Sequence, residues 1–419
     1  MRKRDNIIAN TDWITVGLYL LLVIAGWFTI YSASFDNPDV SMFDLSERFG
    51  KQALWIGLAL GLAFVIMIID AKFFSAFAWW IYFFVVFILI GVLLFGKTVA
   101  GSKSWFQIGS FAIQPAEFAK FATALALAKY LGKLNVNIGL LKTKLVALTI
   151  IMFPALLILL QNDTGSALVY FSFVLVLYRE GFSGIFIVIG LVTAVLFVLT
   201  LLVGKLYLIS ALALLALLVI WAFKKARKNY KTILLLFVVS SIFVFSVHFA
   251  FEEVLQPHQR NRIKILLGMM HDPHGVGYNV NQSKIAIGSG GLSGKGFKQG
   301  MLTRYHFVPE QSTDFIFCTV GEERGFIGSS ILLLLFWTLL VRLIFLAERQ
   351  RSAFSRIYGY GVASVLFFHI AVNVGMTIGL MPVVGIPLPF FSYGGSSLWA
   401  FTILLFIFIK QDANRRNVL

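Results

Sequence analysis

The chain carries about twelve apolar runs, each close to the ~20 residues that an α-helix needs to cross a hydrocarbon core. They begin near Ile14, Ala53, Ser75, Ala112, Leu145, Thr164, Ser183, Leu206, Thr232, Phe326, Ile357 and Gly395. Lipid offers no partner to backbone amides, so such runs must be helices that satisfy their own hydrogen bonds. The expected fold is an all-α polytopic membrane protein, a single integral domain over residues 1–419 with about 10–12 transmembrane helices. Composition agrees: 59% of residues are hydrophobic and 13% are charged, more apolar surface than a soluble fold can hide. The run at Ile14 follows Met-Arg-Lys-Arg like the start of a signal peptide. It is long enough to span and has no clear small-residue cleavage site, so it is expected to be a retained helix. The runs at Leu145 and Thr164 are short and separated only by QND, which fits tilted or partly re-entrant segments.

The basic loops fix the expected orientation. With the N-terminus in the cytoplasm, KLNVNIGLLKTK (133–144), KKARKNYK (224–231), AERQRSAFSR (347–356) and the tail KQDANRRNVL (410–419) all fall inside, as cytoplasmic retention of Lys and Arg requires. The net charge of +16 is thereby explained without nucleic acid. One cysteine, Cys318, excludes a disulfide within the chain. The outer face receives the acidic loop at 35–50, GKTVAGSKSWFQIGS (96–110), a large loop over 252–325 and PVVGIPLPFFSYGG (382–395). The large loop is longer than a connector needs, and its apolar content argues for order and function. Within it, NQSKIAIGSGG and VPEQSTDFIF are expected to form short interfacial helices.

Several residues on that face carry chemistry. Asp314 stands where the chain returns to the membrane. It reads either as a first-turn acid of a helix capped by Ser312 or Thr313, or as a partly desolvated general base. Gln114-Pro115-Ala116-Glu117 opens a span, with proline at the favoured first position. Glu117 and Lys120, three apart, share a helix face. They form either a structural ion pair or the wall of a cavity in which Lys120 meets an anionic group. Lys103 and Trp105 precede them, the tryptophan being a belt residue or a platform for a tail or sugar. Asp163 suits a cap for the following helix. GSGGLSGKGFKQG (288–300) fails both phosphate-loop patterns, because Ser289 and Gly296 break one and Ser293 the other. Its amides remain candidates for an anion nest. His271 and His274 form a weak HxxH metal pair, and His248, His369 and Asn373 suit satisfied polar groups inside a bundle. PLPFFSYGGSS (387–397) is irregular backbone at membrane depth, which suits a cavity wall. An acid, a cation and apolar walls together fit an amphiphile with a phosphorylated head and a long tail.

The stretches GSKSWFQIGSFAIQPAEFAK (101–120), QNDTGSALV (161–169), NQSKIAIGSGGLSGKG (281–296), VPEQSTDFIF (308–317) and PLPFFSYGGSS (387–397) closely resemble the SEDS family of bacterial shape, elongation, division and sporulation proteins, the third being nearer its RodA than its FtsW branch. The resemblance implies a peptidoglycan glycosyltransferase polymerising lipid II on the outer face of the cytoplasmic membrane. It implies a class B penicillin-binding protein and elongation-complex proteins as partners. It places the essential acid at Asp314 and motif residues at Trp105, Gln114, Glu117 and Lys120; Lys103, Ser289, Arg304, Thr313 and Ser392 are the further candidate substrate-binding residues. No cofactor is evident; a divalent cation is the one candidate. Two departures stand out. Residues 206–251 read as an added helical pair, and Asn162 replaces the usual proline of the family's QPDxG motif. The rival functions are a lipid II flippase, for which no inverted repeat is seen, a division-type polymerase, and a non-catalytic scaffold.

Overall fold

The computed structural model describes residues 7–34, 41–99, 101–109, 111–254, 260–261, 263–264, 269, 276–305 and 307–415. Thirteen helices are numbered here: α1 Trp13–Ala33, α2 Arg48–Ile68, α3 Ala78–Phe95, α4 Pro115–Leu131, α5 Leu141–Leu160, α6 Thr164–Arg179, α7 Ile185–Val203, α8 Lys205–Ala222, α9 Tyr230–Phe249, α10 Val276–Ser289, α11 Ile316–Glu348, α12 Ala353–Thr377 and α13 Gly395–Ala413. Among the described residues, ten helices are long and apolar enough to cross a membrane, which makes this a multi-pass membrane protein. The remaining two runs are α4, which carries the Glu117–Lys120 pair, and α6, which is interrupted by a 3₁₀ turn at Val169–Ser172.

The chain divides into two compact units, one of residues 1–182 and 279–419 and one of residues 183–278. In the first, α12 and α13 bury 78% and 83% of their apolar stretches. Their polar side chains therefore face protein, and α12 becomes the post to which the loops at one end are tied. The second unit holds α7, α8 and α9. The uncertain boundary at Gly204-Lys205 is a sharp turn, with Gly204 at φ 85°, a conformation that costs only glycine little.

Local chemistry sets the boundaries. Asp12 caps α1, its Oδ2 accepting from the Thr15 amide at 3.1 Å. Pro115 opens α4, where its missing N–H costs nothing. Asp163 caps α6, as expected, through Ser166 N at 3.0 Å. Asn162 sits at φ 60°, which proline cannot adopt, so this turn is built differently from the family's QPDxG pattern.

Two segments differ from expectation. Residues 97–113, expected to be a plain loop, form an antiparallel three-stranded meander of β1 Lys97–Val99, β2 Ser102–Ile108 and β3 Phe111–Ile113. Gly101 (φ 85°) and Gly109 (φ 62°) make the two turns possible. The span expected from Phe326 begins ten residues earlier, because α11 runs from Ile316 and breaks at Gly325 (φ 62°, ψ −160°).

The glycine-rich loop after α10 closes that break. Its Gly291 and Leu292 carbonyls accept from Phe326 N and Ile327 N, while Lys295 N and Gly296 N donate to the Glu322 and Glu323 carbonyls. Gly290 lies so close that a β-carbon would come 2.0 Å from the Gly321 carbonyl. The loop amides that suggested an anion nest are thus used inside the protein. Two buried acids complete the splice. Glu322 accepts from Lys295 Nζ (2.8 Å), Leu302 N (3.0 Å) and Thr303 N (2.9 Å). Glu323 accepts from Lys298 N at 3.1 Å and from the Ser32 hydroxyl of α1.

Candidate active site

Residues 384–388 touch α6, the Asp314 turn, α12 and the loop before α13. At Val384, the carbonyl lies against Gly165 of α6, where a β-carbon would approach to 2.2 Å. Gly385 (φ 70°) faces Asp314, and a β-carbon there would lie 3.3 Å from Asp314 Oδ2. The Ile386 carbonyl accepts from Asn373 Nδ2 at 2.8 Å. His369 Nδ1 lies 3.1 Å from the Pro387 carbonyl. Leu388 N donates to Ser392 Oγ at 2.9 Å.

Asp314 does not lie in a helical first turn. The helix begins at Ile316 with no side-chain cap, so the expectation that Ser312 or Thr313 caps it is corrected. A tight turn precedes it, with Thr313 N and Phe315 N both donating to the carbonyl of Glu310, which adopts φ 53°. Thr313 Oγ1 donates to Glu310 Oε2 at 3.1 Å, and Ser312 Oγ accepts from Arg48 at 2.7 Å. Three consecutive carbonyls of this turn are then held. Tyr393 N takes Ser312 O at 2.9 Å, Ser392 Oγ takes Thr313 O at 2.6 Å, and Asn373 Nδ2 takes Asp314 O at 2.8 Å. Behind the turn, Phe315, Val308, Ala286 and Cys318 form a small apolar core between α10 and α11. The half-buried Asp314 thus projects from an immobilised backbone.

The Glu117–Lys120 pair forms as read, at 2.8 Å, with side chains 3% and 1% exposed. Lys120 Nζ also lies 2.9 Å from His369 Nε2 and 5.0 Å from the centre of the Phe401 ring. The carbonyl at Nδ1 requires a proton there, which leaves Nε2 to accept from the ammonium. Lys120 is therefore turned into the protein, which corrects the expectation of a cation open to an anionic group. Gln114 Nε2 donates to Asp163 Oδ2 at 2.7 Å, joining α4 to α6.

The other expected substrate residues lie outside these two hydrogen-bonded clusters. Trp105 stands on β2 opposite Lys97. Lys103 donates its Nζ to Leu94 O at 3.1 Å and its amide to Gln161 O. Ser289 ends α10 and bonds Ala286 O within its own helix. Arg304 is exposed at the end of the short helix Met301–Arg304. His271 and His274 lie outside the described residues, and among those described no group of three or more His, Cys, Asp or Glu converges on a metal position.

Sequence reasoning passed over Arg48 and Gly385, and read Asn373 as a satisfied polar group inside the bundle. Arg48 is exposed, bonded to Ser312, and 5.9 Å from the centre of the Tyr393 ring. A cation placed just before a span on the face that carries the acid was the available signal. Gly385 gave none, and the two carbonyls that Asn373 holds could not be read ahead, since both depend on the tertiary fold.

The fold is that of a multi-pass helical membrane protein in which the backbone of the turn carrying Asp314 is clasped at a loop hub. Comparison with known sequences and structures is specific. The profile of the FtsW/RodA/SpoVE family of cell cycle proteins matches residues 12–216 and 208–417. The chain is 32% identical to the peptidoglycan glycosyltransferase MrdB of Escherichia coli, covering 94% of this chain and 93% of that one. It is 33% identical to the peptidoglycan glycosyltransferase RodA of Treponema pallidum, covering 97% and 99%. A solved peptidoglycan synthase complex, described as coordinating polymerization and crosslinking, superposes with a TM-score of 0.70 at 27% identity over 97% of this chain and 99% of that one. Thermus thermophilus RodA gives 0.62 at 25% identity, covering 97% of each chain. The chain belongs to the FtsW/RodA/SpoVE family.

Proposed function

We propose that the chain is a peptidoglycan glycosyltransferase that polymerises lipid II into glycan strands during cell elongation. The observation that carries this is the Asp314 carboxylate, fixed beside Gly385 at the hub where the family's TDFIF and PLPFFSYGGSS stretches meet. In the proposed reaction Asp314 takes the proton from the C4 hydroxyl of the acceptor sugar. That oxygen bonds to the anomeric carbon of the donor chain, the bond from that carbon to the diphosphate oxygen breaks, and undecaprenyl diphosphate leaves with the electron pair. Configuration inverts. General-base help of this kind is worth about 10²–10⁴-fold, and alignment of two membrane-anchored substrates supplies much of the rest.

Arg48, tied to the Asp314 turn through Ser312, and Arg304 are the exposed cations suited to charge developing on the leaving group. Lys120 stabilises the scaffold between α4 and α12. The distribution of basic loops supports cytoplasmic termini and an extracytoplasmic active site. The synthase complex superposed above supports a cross-linking partner, assigned here as a class B penicillin-binding protein. Residues 206–251 are assigned as an added helical pair; the two stretches of the family match meet inside it, at 208–216.

The test is polymerisation by the purified protein in detergent, with lipid II, with and without its partner, and with and without a chelator. Glycan product from an accessible substrate requires no transport and supports a polymerase. No product under any condition, with transbilayer movement of lipid II in vesicles, would instead assign transport.

A further inference from the structure

We infer that Asn373 is a positioning residue for Asp314, acting through the backbone rather than on substrate. This deepens the reading of Asp314 as general base and rests on it. Asn373 is fully buried on α12. Its two amide hydrogens go to two carbonyls from separate segments, Asp314 O and Ile386 O, each at 2.8 Å. Two acceptors fix the amide orientation, since only the NH₂ group can face them. Asn373 Oδ1, also buried, has no hydrogen-bond partner among the described residues. A buried acceptor left bare is costly, so the side chain serves here for its donors.

The effect is geometric. The Asp314 carbonyl is held to α12, and residue 386 is held to the same nitrogen. Gly385, between the two, is thereby set against Asp314 Oδ2. Ser392 makes the parallel clasp one residue earlier, bridging Thr313 O and Leu388 N. One turn before Asn373, His369 links Pro387 to Lys120. That lower rung anchors the 384–388 segment, and Asn373 converts the anchor into a fixed direction for the base.

The experiment compares steady-state lipid II polymerisation by the parent, Asn373→Leu, Ser392→Ala and Asp314→Asn, all as the full-length protein. Leucine keeps the buried volume and removes both donors. With the carboxylate misdirected by about an ångström, kcat is expected to fall on the order of 10²-fold. KM for lipid II stays near that of the parent, and the thermal midpoint falls only by what two buried carbonyls without donors cost. Ser392→Ala, a milder cut of the same clasp, gives a smaller loss in kcat alone. Parental kcat in both single variants, or a proportional loss of kcat, KM and thermal midpoint, would overturn the positioning role. If Asp314→Asn itself works at the parental rate, the base assignment fails, whatever Asn373 does.

Discussion

Gly385 approaches Asp314 so closely that a β-carbon on the glycine would stand 3.3 Å from the aspartate's Oδ2. Its φ of 70° already disfavours any other residue. Gly385→Ala should therefore cost roughly 1–2 kcal/mol in stability from the left-handed backbone and slow polymerisation by crowding the carboxylate. Gly385→Val should slow it further. Thermal unfolding and initial rates on lipid II check this; a valine variant with the parental rate would show that nothing works against this side of the acid.

The Lys120–Glu117 pair is sealed, so the two single losses should sum to more than the loss on removing both side-chain charges. Lys120→Met strands a buried carboxylate and should destabilise by about 3–5 kcal/mol. Lys120→Met/Glu117→Gln removes both charges and should be the more stable of the two. Chemical or thermal unfolding of parent, single and double variants gives the coupling. Additive losses would mean that the two side chains do not share one charge-compensated site.

Asp12 ties the start of α1 to α11. Burial opposes its ionisation, but the Arg342 guanidinium and the Thr15 hydroxyl and amide outweigh that and hold the carboxyl below the usual carboxylate value. A folded-state value below the unfolded one stabilises above the unfolded pKa of about 3.9 and is lost as pH falls through the lower, folded value. Asp12→Ala should thus lower the thermal midpoint at neutral pH, by about 1 kcal/mol for the cap alone. The gap from the parent should begin to narrow below about pH 4 and go on closing as pH falls further. An unchanged gap between pH 7 and pH 3 would contradict the assignment.

The helices were legible because lipid permits one backbone solution to a twenty-residue apolar run. Asp314 was legible because a charge at a span boundary is costly and therefore placed for a reason. The α10–α11 splice was hidden because Glu322 and Glu323 read as loop polarity. Only the folded chain shows that Lys295 Nζ and the backbone amides of Lys298, Leu302 and Thr303 satisfy them in the interior. The meander was masked because β1 and β3 have three residues each, too few for alternation to register. Lys103 and Lys120 looked available in sequence because the groups that occupy them, Leu94 O, Glu117 and His369, are set by packing. Arg48 sat beyond the motif that named the acid, joined to it through Ser312.

The most direct test of the central claim is lipid II polymerisation by purified Asp314→Asn protein beside the parent. Asparagine keeps the shape and the backbone clasp but cannot accept the proton. The variant should express and unfold like the parent, bind lipid II, and make no glycan strands above background. A variant that polymerises lipid II at the parental rate would contradict the account.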